Sequence, residues 1–150
     1  MLSASRFRMS ESSVDSPLPP ITMSRLDWDR IDALLESQAV RGIPGVDGLR
    51  RELDRALIVE PDAVPPDVAT MDSTVRFIDE GNGHTFELTL VYPKDAGRPG
   101  TISLLAPVGS ALLGLEVGQS IVWPMPGGRP AQLRVLAILD QPEAAGRDLG

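Results

Sequence analysis

Apolar residues in the first half of the chain recur at helical spacing in two stretches. The first begins near Ser24, and its buried face is predicted to consist of Leu26, Ile31, Leu34 and Leu35. The second is predicted to bury one stripe, made of Val46, Leu49, Leu53 and Leu57. A strong helix breaker, Gly42-Ile43-Pro44-Gly45, separates them. Because the link is short and both stripes must be buried, residues 21–60 are expected to form an antiparallel, coiled-coil-like helical hairpin.

Polar residues supply the ends and the outer faces of these two helices. Ser24 with Asp27 predicts an N-terminal cap for the first helix, and Asp47 predicts one for the second. The charged residues expected to point outward are Asp27, Asp29, Arg30, Asp32, Glu36, Arg50, Arg51, Glu52, Asp54 and Arg55. Helices of about 12–15 residues are marginal alone. The base of the hairpin is therefore expected to pack against the rest of the protein.

Beyond a Pro-rich boundary at 61–66 the apolar pattern changes to that of strands. Strands are predicted at 74–79, 84–92, 101–105, 120–123 and 133–139, with one short helix at 109–114. This content predicts an α+β fold with an antiparallel sheet. The expected organisation is a disordered tail (1–20), the hairpin (21–60), a linker (61–70) and the sheet domain (71–150).

Composition removes several classes of function. The chain has 150 residues with 14 basic and 21 acidic side chains, a net charge of −7, which argues against general nucleic-acid binding. It has no Cys and one His, which excludes disulfides, thiolate zinc sites and His-pair metal sites. No apolar run reaches the length of a membrane span, and the first residues lack the apolar region of a signal peptide. A cytoplasmic protein without metal or cofactor is expected.

Several residues that could act in catalysis or ligand binding are better explained by a structural role. His84 has no Ser or Asp pattern around it that would make it a general base, and is expected to be a surface residue. The spacing of Asp72 and Asp79 does not predict a metal site. The glycines at 81–83 and 127–128 are typical of hairpin turns and lack phosphate-binding spacing. Trp123, on a strand, is expected in the core.

Several motifs together resemble a known family. Residues 106–118 (APVGSALLGLEVG) look like the C-terminal motif of bacterial Gre transcript-cleavage factors, and 126–128 (PGG) before a last strand fit the same pattern. With 90–93 (LVYP) and 141–146 (QPEAAG), the closer resemblance is to the regulators of nucleoside diphosphate kinase, a Gre-like family. The resemblance covers about residues 21–148 and implies an FKBP-like sheet domain after the hairpin.

The resemblance implies docking on RNA polymerase near its secondary channel. The partner contacts it implies are Leu105, Ala106, Pro107, Val108 and Gly109, at the corner that grips the channel rim in Gre factors. The hairpin tip is expected to carry Glu36, Arg41 and Asp47, without the close acidic spacing of a cleavage tip. Since the hairpin is short, its tip is expected to stop before the catalytic centre. The expected function is noncatalytic: competition with Gre-type factors by a monomer that influences nucleoside diphosphate kinase levels.

Two alternatives stay open at this point. An FKBP-like domain could act as a prolyl isomerase or bind peptides, although fold alone does not carry function. Such a pocket needs several aromatic residues around one concavity, and this domain offers only Phe77, Phe86, Tyr92 and Trp123. A factor that stimulates transcript cleavage is the other alternative.

Overall fold

The computed structural model describes residues 19–123, 127 and 129–146. Residues 1–18 of the predicted tail lie outside the described residues. The elements in chain order are β1 (Thr22–Ser24), α1 (Arg25–Glu36), α2 (Val46–Arg55), β2 (Leu57–Val59), β3 (Thr74–Asp79), β4 (His84–Val91), β5 (Thr101–Ser103), α3 (Pro107–Leu112), β6 (Ser120–Trp123), β7 (Ala131–Asp140) and α4 (Pro142–Ala145). No helix in this part of the chain has the length and apolar character needed to cross a membrane.

The helical hairpin forms as predicted, with one different cap. Ser24 caps α1, since its Oγ accepts a hydrogen bond of 3.0 Å from the Asp27 N–H. The predicted cap Asp47 is wrong: it lies in the first turn of α2, and Gly45 holds the cap position with φ of 92°. A side chain is disfavoured at that backbone angle, so glycine takes the place of a polar cap. The Trp28 Nε1–H bonds the Leu53 carbonyl across the hairpin at 3.0 Å.

The second helix ends earlier than its apolar stripe suggests. Leu57 was predicted to be buried, but α2 ends at Arg55 and Leu57 is 62% exposed. The reason is backbone pairing: β2 runs parallel to β1, and the Leu57 N–H bonds the Ile21 carbonyl at 2.9 Å. This small two-stranded sheet closes the base of the hairpin.

A second sheet of five strands has the order β5-β4-β3-β7-β6. Neighbouring strands are antiparallel, as predicted, except that β4 and β5 are parallel. The observed β3 and β6 have the predicted bounds. Two shifts of register interrupt the pairing of β3 with β7. Each adds a residue to one strand, bends it and increases its twist.

One hydrophobic core joins the hairpin to the sheet. It contains Ile31 and Leu53 of the helices together with Phe77 and Val135 of the sheet. Residues 61–70, predicted as a linker, are packed rather than extended through solvent. Val64, Val68 and Ala69 are buried there, and the Gln141 amide donates to the carbonyls of Pro65 and Val68 at 2.8 and 2.9 Å. The expected support at the base of the hairpin is confirmed.

Candidate partner-binding corner and hairpin junction

A tight corner joins β5 to α3. Pro107 is the first helical residue, where its missing N–H and restricted φ suit the start of a helix. The Ser103 hydroxyl accepts from the Leu105 N–H at 3.0 Å, and the Ser103 carbonyl accepts from the Ala106 N–H at the same distance. Leu105, Ala106, Pro107 and Val108 are all half-buried. The corner therefore presents a small apolar surface to solvent.

Gly109, the next residue after this corner, packs closely against the backbone of Ser103. It is buried, and a Cβ at this position would lie 2.1 Å from the Ser103 carbonyl oxygen. Gly109 therefore packs against the backbone of Ser103, and the partner contact predicted for it stays a prediction. The predicted core positions Leu112 and Leu113 are fully buried.

The three predicted tip residues line one depression at the end of the hairpin. Its volume is about 520 Å³, and Glu36, Arg41 and Asp47 all border it. Glu36 is engaged by its own hairpin, since Arg50 Nη2 lies 2.8 Å from Glu36 Oε2. The other nitrogen of the same guanidinium, Arg50 Nη1, bonds Asp32 Oδ1 at 2.7 Å, and this bond raises the Arg50 pKa. The two helices, 12 and 10 residues long, extend about 18 and 15 Å.

Two carboxylates expected to point outward are buried instead. Asp27 is 5% exposed, and its Oδ2 accepts a hydrogen bond of 3.2 Å from the Met71 N–H. Glu52 is 1% exposed and forms a two-point ion pair with Arg55 at 2.8 and 2.9 Å. The sequence does hold a signal for both, since Asp27 lies four residues before Ile31 and Glu52 three after Leu49. Such spacing puts each on the buried helix face.

Burial changes the acid–base behaviour of Asp27. Removal from water raises its pKa from 3.8 to about 7. The Met71 hydrogen bond and Arg30 oppose this rise, while the charges of Glu143 and Asp72 add to it. Burial is the largest effect, so folding favours the neutral acid.

The other candidate residues are dispersed. His84 is exposed at the start of β4, and its backbone N–H bonds Asn82 Oδ1 at 2.9 Å. Asp72 and Asp79 flank β3 at opposite ends, and no group suited to a metal ion is found within the described residues. The aromatic residues of the isomerase or peptide-binding alternative lie in different surroundings, and Tyr92 borders a cleft beside α1. Phe77 and Phe86 stack with centroids 5.3 Å apart, while Trp123 is buried and packs near Gly48 of α2.

Comparison with known proteins decides the family. The family model "Rnk N-terminus" matches residues 19–59, and "Transcription elongation factor, GreA/GreB, C-term" matches residues 64–140. The regulator of nucleoside diphosphate kinase from Escherichia coli (strain K12) is 49% identical over 129 residues, which cover 85% of this chain and 95% of that protein. The chain belongs to the regulators of nucleoside diphosphate kinase.

More distant relatives and a solved structure agree with this family. GreA from Thermodesulfovibrio yellowstonii is 35% identical over 74 residues, which cover 49% of this chain and 47% of GreA. The structure titled prokaryotic transcription elongation factor GreA/GreB from Nitrosomonas europaea is 50% identical, with a TM-score of 0.64. The match covers 80% of this chain and 98% of the Nitrosomonas europaea chain. As a regulator of nucleoside diphosphate kinase, the protein is a Gre-related transcription regulator.

Proposed function

We propose that the protein regulates transcription by binding RNA polymerase near the secondary channel through the corner of Leu105, Ala106, Pro107 and Val108. The observation that carries this proposal is the corner itself. It is apolar and half-buried, and it lies inside the region that matches the GreA/GreB family model. Partly exposed apolar residues on a rigid base are typical anchors of protein interfaces. The buried Gly109 provides that base.

The proposed mode of action is occupancy without catalysis. Helices of 12 and 10 residues give a hairpin too short to carry its tip to a distant catalytic centre. At the tip, Glu36 is paired with Arg50, which also pairs with Asp32. Arg41 and Asp47 are the tip residues proposed to contact the channel lining. The protein would thus exclude Gre-type factors, and an altered level of nucleoside diphosphate kinase would follow from changed transcription.

The substitution Pro107→Asp is expected to weaken binding to core RNA polymerase by about 30-fold, the effect of losing an interface anchor. A charge at this position would have to be desolvated in the complex. Pull-down of core polymerase by wild type and variant, in parallel with a Gre competitor, measures the effect. Val117→Asp is the matched control, because Val117 is also an exposed apolar residue but lies outside the corner. Equal retention of both variants would contradict docking through the corner, and no binding by folded wild type would contradict polymerase binding itself.

Added protein is expected to leave the RNA of a stalled polymerase at full length. The helices are short, and the described residues hold no group of side chains suited to a metal ion, so the tip does not provide the acidic cluster that a metal at the catalytic centre would need. Gel analysis of end-labelled transcripts, with a Gre factor as positive control, tests this. Shortening from the 3′ end by this protein alone would establish the cleavage alternative.

A further inference from the structure

The helix α3 starts at the corner proposed to bind polymerase and leads toward the base of the hairpin. It begins at Pro107 and ends at Leu112, so its six residues span about 9 Å. Four of the six are buried, namely Gly109, Ser110, Ala111 and Leu112, and this burial fixes the helix in the core. An element that packs against the end of α3 is therefore held in place relative to the corner.

Gly114, two residues after α3, joins three segments of the chain. Its N–H donates to the Ala69 carbonyl at 2.8 Å, and the Ala69 N–H donates to the Leu115 carbonyl at the same distance. The Gly114 carbonyl accepts a hydrogen bond of 3.1 Å from the Thr22 N–H of β1. Since β1 leads directly into α1, this contact ties the base of the hairpin to the end of α3.

The contact between Gly114 and β1 leaves no space for a side chain. A Cβ at Gly114 would lie 2.6 Å from the Ile21 Cβ and 3.2 Å from the Thr22 carbonyl oxygen. Ile21 is buried, and rotation about its side-chain bonds does not move its Cβ. The backbone of β1 would have to move instead, and the hairpin that follows β1 would move with it.

We propose that Gly114 is the positioning residue that sets the direction of the hairpin relative to the corner. The helices of the hairpin extend about 18 and 15 Å, so a small displacement of β1 at the base becomes a larger displacement at the tip. The consequence for polymerase rests on the proposed function. When the corner is docked, the contact of Gly114 with β1 directs the tip toward the channel lining.

A distance measurement on the free protein tests this contact. The chain has no cysteine, so Gln38→Cys near the tip and Thr85→Cys on β4 place two spin labels at exposed positions. Gly114→Ala is expected to shift or broaden the distance between the labels. Gly118→Ala is the matched control: Gly118 has a φ of 92°, close to the 81° of Gly114, but a Cβ there would meet nothing within 4 Å. Unchanged distances in Gly114→Ala, or the same change in Gly118→Ala, would overturn the proposal.

Amide hydrogen exchange of the wild type tests the same contact without a substitution at Gly114. The Thr22 N–H is expected to exchange as slowly as the buried Val135 N–H, which bonds the Gln119 carbonyl at 3.1 Å. The reason is that a hairpin base fixed on the core opens only when the core opens. Fast exchange at Thr22 beside slow exchange at Val135 would contradict the proposal, even if Gly114→Ala fails to fold.

Cross-linking to core RNA polymerase tests the consequence in the complex. A photoactivatable group on Gln38→Cys reports contacts of the tip, and pull-down reports binding through the corner. Gly114→Ala is expected to retain the capture that Pro107→Asp weakens. Its tip cross-link should fall by about tenfold or more, because two contacts act together only when the geometry allows both. Gly118→Ala should retain both signals.

The two proposals fail in different ways. No capture of polymerase by the wild type would contradict the proposed function alone, because the distance and exchange measurements are made without polymerase. Equal tip cross-links from the wild type and Gly114→Ala, with capture retained, would show that Gly114 does not direct the tip.

Discussion

The free energy of unfolding is expected to fall by about 4 kcal/mol as the pH rises from about 4 to 7, because folding keeps Asp27 protonated. The folded-state pKa of about 7 lies above the ordinary value of 3.8. Between these values the folded protein holds a proton that the unfolded chain has released. The stabilisation that comes from Asp27 is therefore complete below pH 4, decreases through this window, and is lost above pH 7.

Chemical denaturation at a series of pH values measures this dependence. Asp27→Asn keeps an oxygen to accept the Met71 N–H but cannot ionise, so the difference between wild type and variant isolates the one carboxyl group. Asp62→Asn, at an exposed position, should retain the wild-type profile. If wild type and Asp27→Asn show parallel profiles, the buried carboxyl group is not the group that titrates.

Gly109→Ala is expected to destabilise the protein by about 3 kcal/mol or more, the upper range for overpacking a rigid core. The new Cβ would lie 2.1 Å from the Ser103 carbonyl oxygen and 3.4 Å from the Leu104 Cα. Both are backbone atoms, so no side-chain rotation relieves the clash. The turn from β5 into α3 must open instead, and the apolar corner loses its base.

Gly48→Ala provides the matched control for the same chemical change. Gly48 lies in α2, and its Cβ would meet the Trp123 ring at 3.7 Å, an ordinary contact. Alanine favours the helix, so a gain of about 0.5–1 kcal/mol is expected. Thermal unfolding of the two variants gives the comparison. Equal stability of Gly109→Ala and wild type would mean that the corner is far more adaptable than its packing indicates.

Much of the fold follows from local patterns in the sequence. The alternation of Thr74–Asp79 and Ser120–Trp123 places each strand correctly, because each has one buried and one exposed face. The cap at Ser24 also depends on neighbouring residues alone. The prediction that Leu57 is buried in the second helix is wrong. Its helical spacing is real, but the pairing of β2 with β1 takes the backbone out of the helix.

The predicted corner residues join β5 to α3, and the three predicted tip residues border one depression at the end of the hairpin; their contacts with a partner stay a prediction. The cleft at the hairpin junction was not predicted. It is assembled from α1, the residues before β3, the end of β4, and α4, which are far apart in the chain. The spacing of Asp27 from Ile31 puts it on the buried face of α1, and the docking of α1 onto Met71 removes its carboxylate from water.

The sequence by itself determined the helical hairpin, the strands of the five-stranded sheet, the acidic charge and the Gre-like motif, because these depend on short-range periodicity and residue type. The tertiary structure decided the parallel pairings β1–β2 and β4–β5, the burial of Asp27 and Glu52, and the close approach of Gly109 to Ser103. The physical reason is that burial, desolvation and backbone contact depend on what lies across from a residue. That neighbour is chosen by the packing of the whole chain.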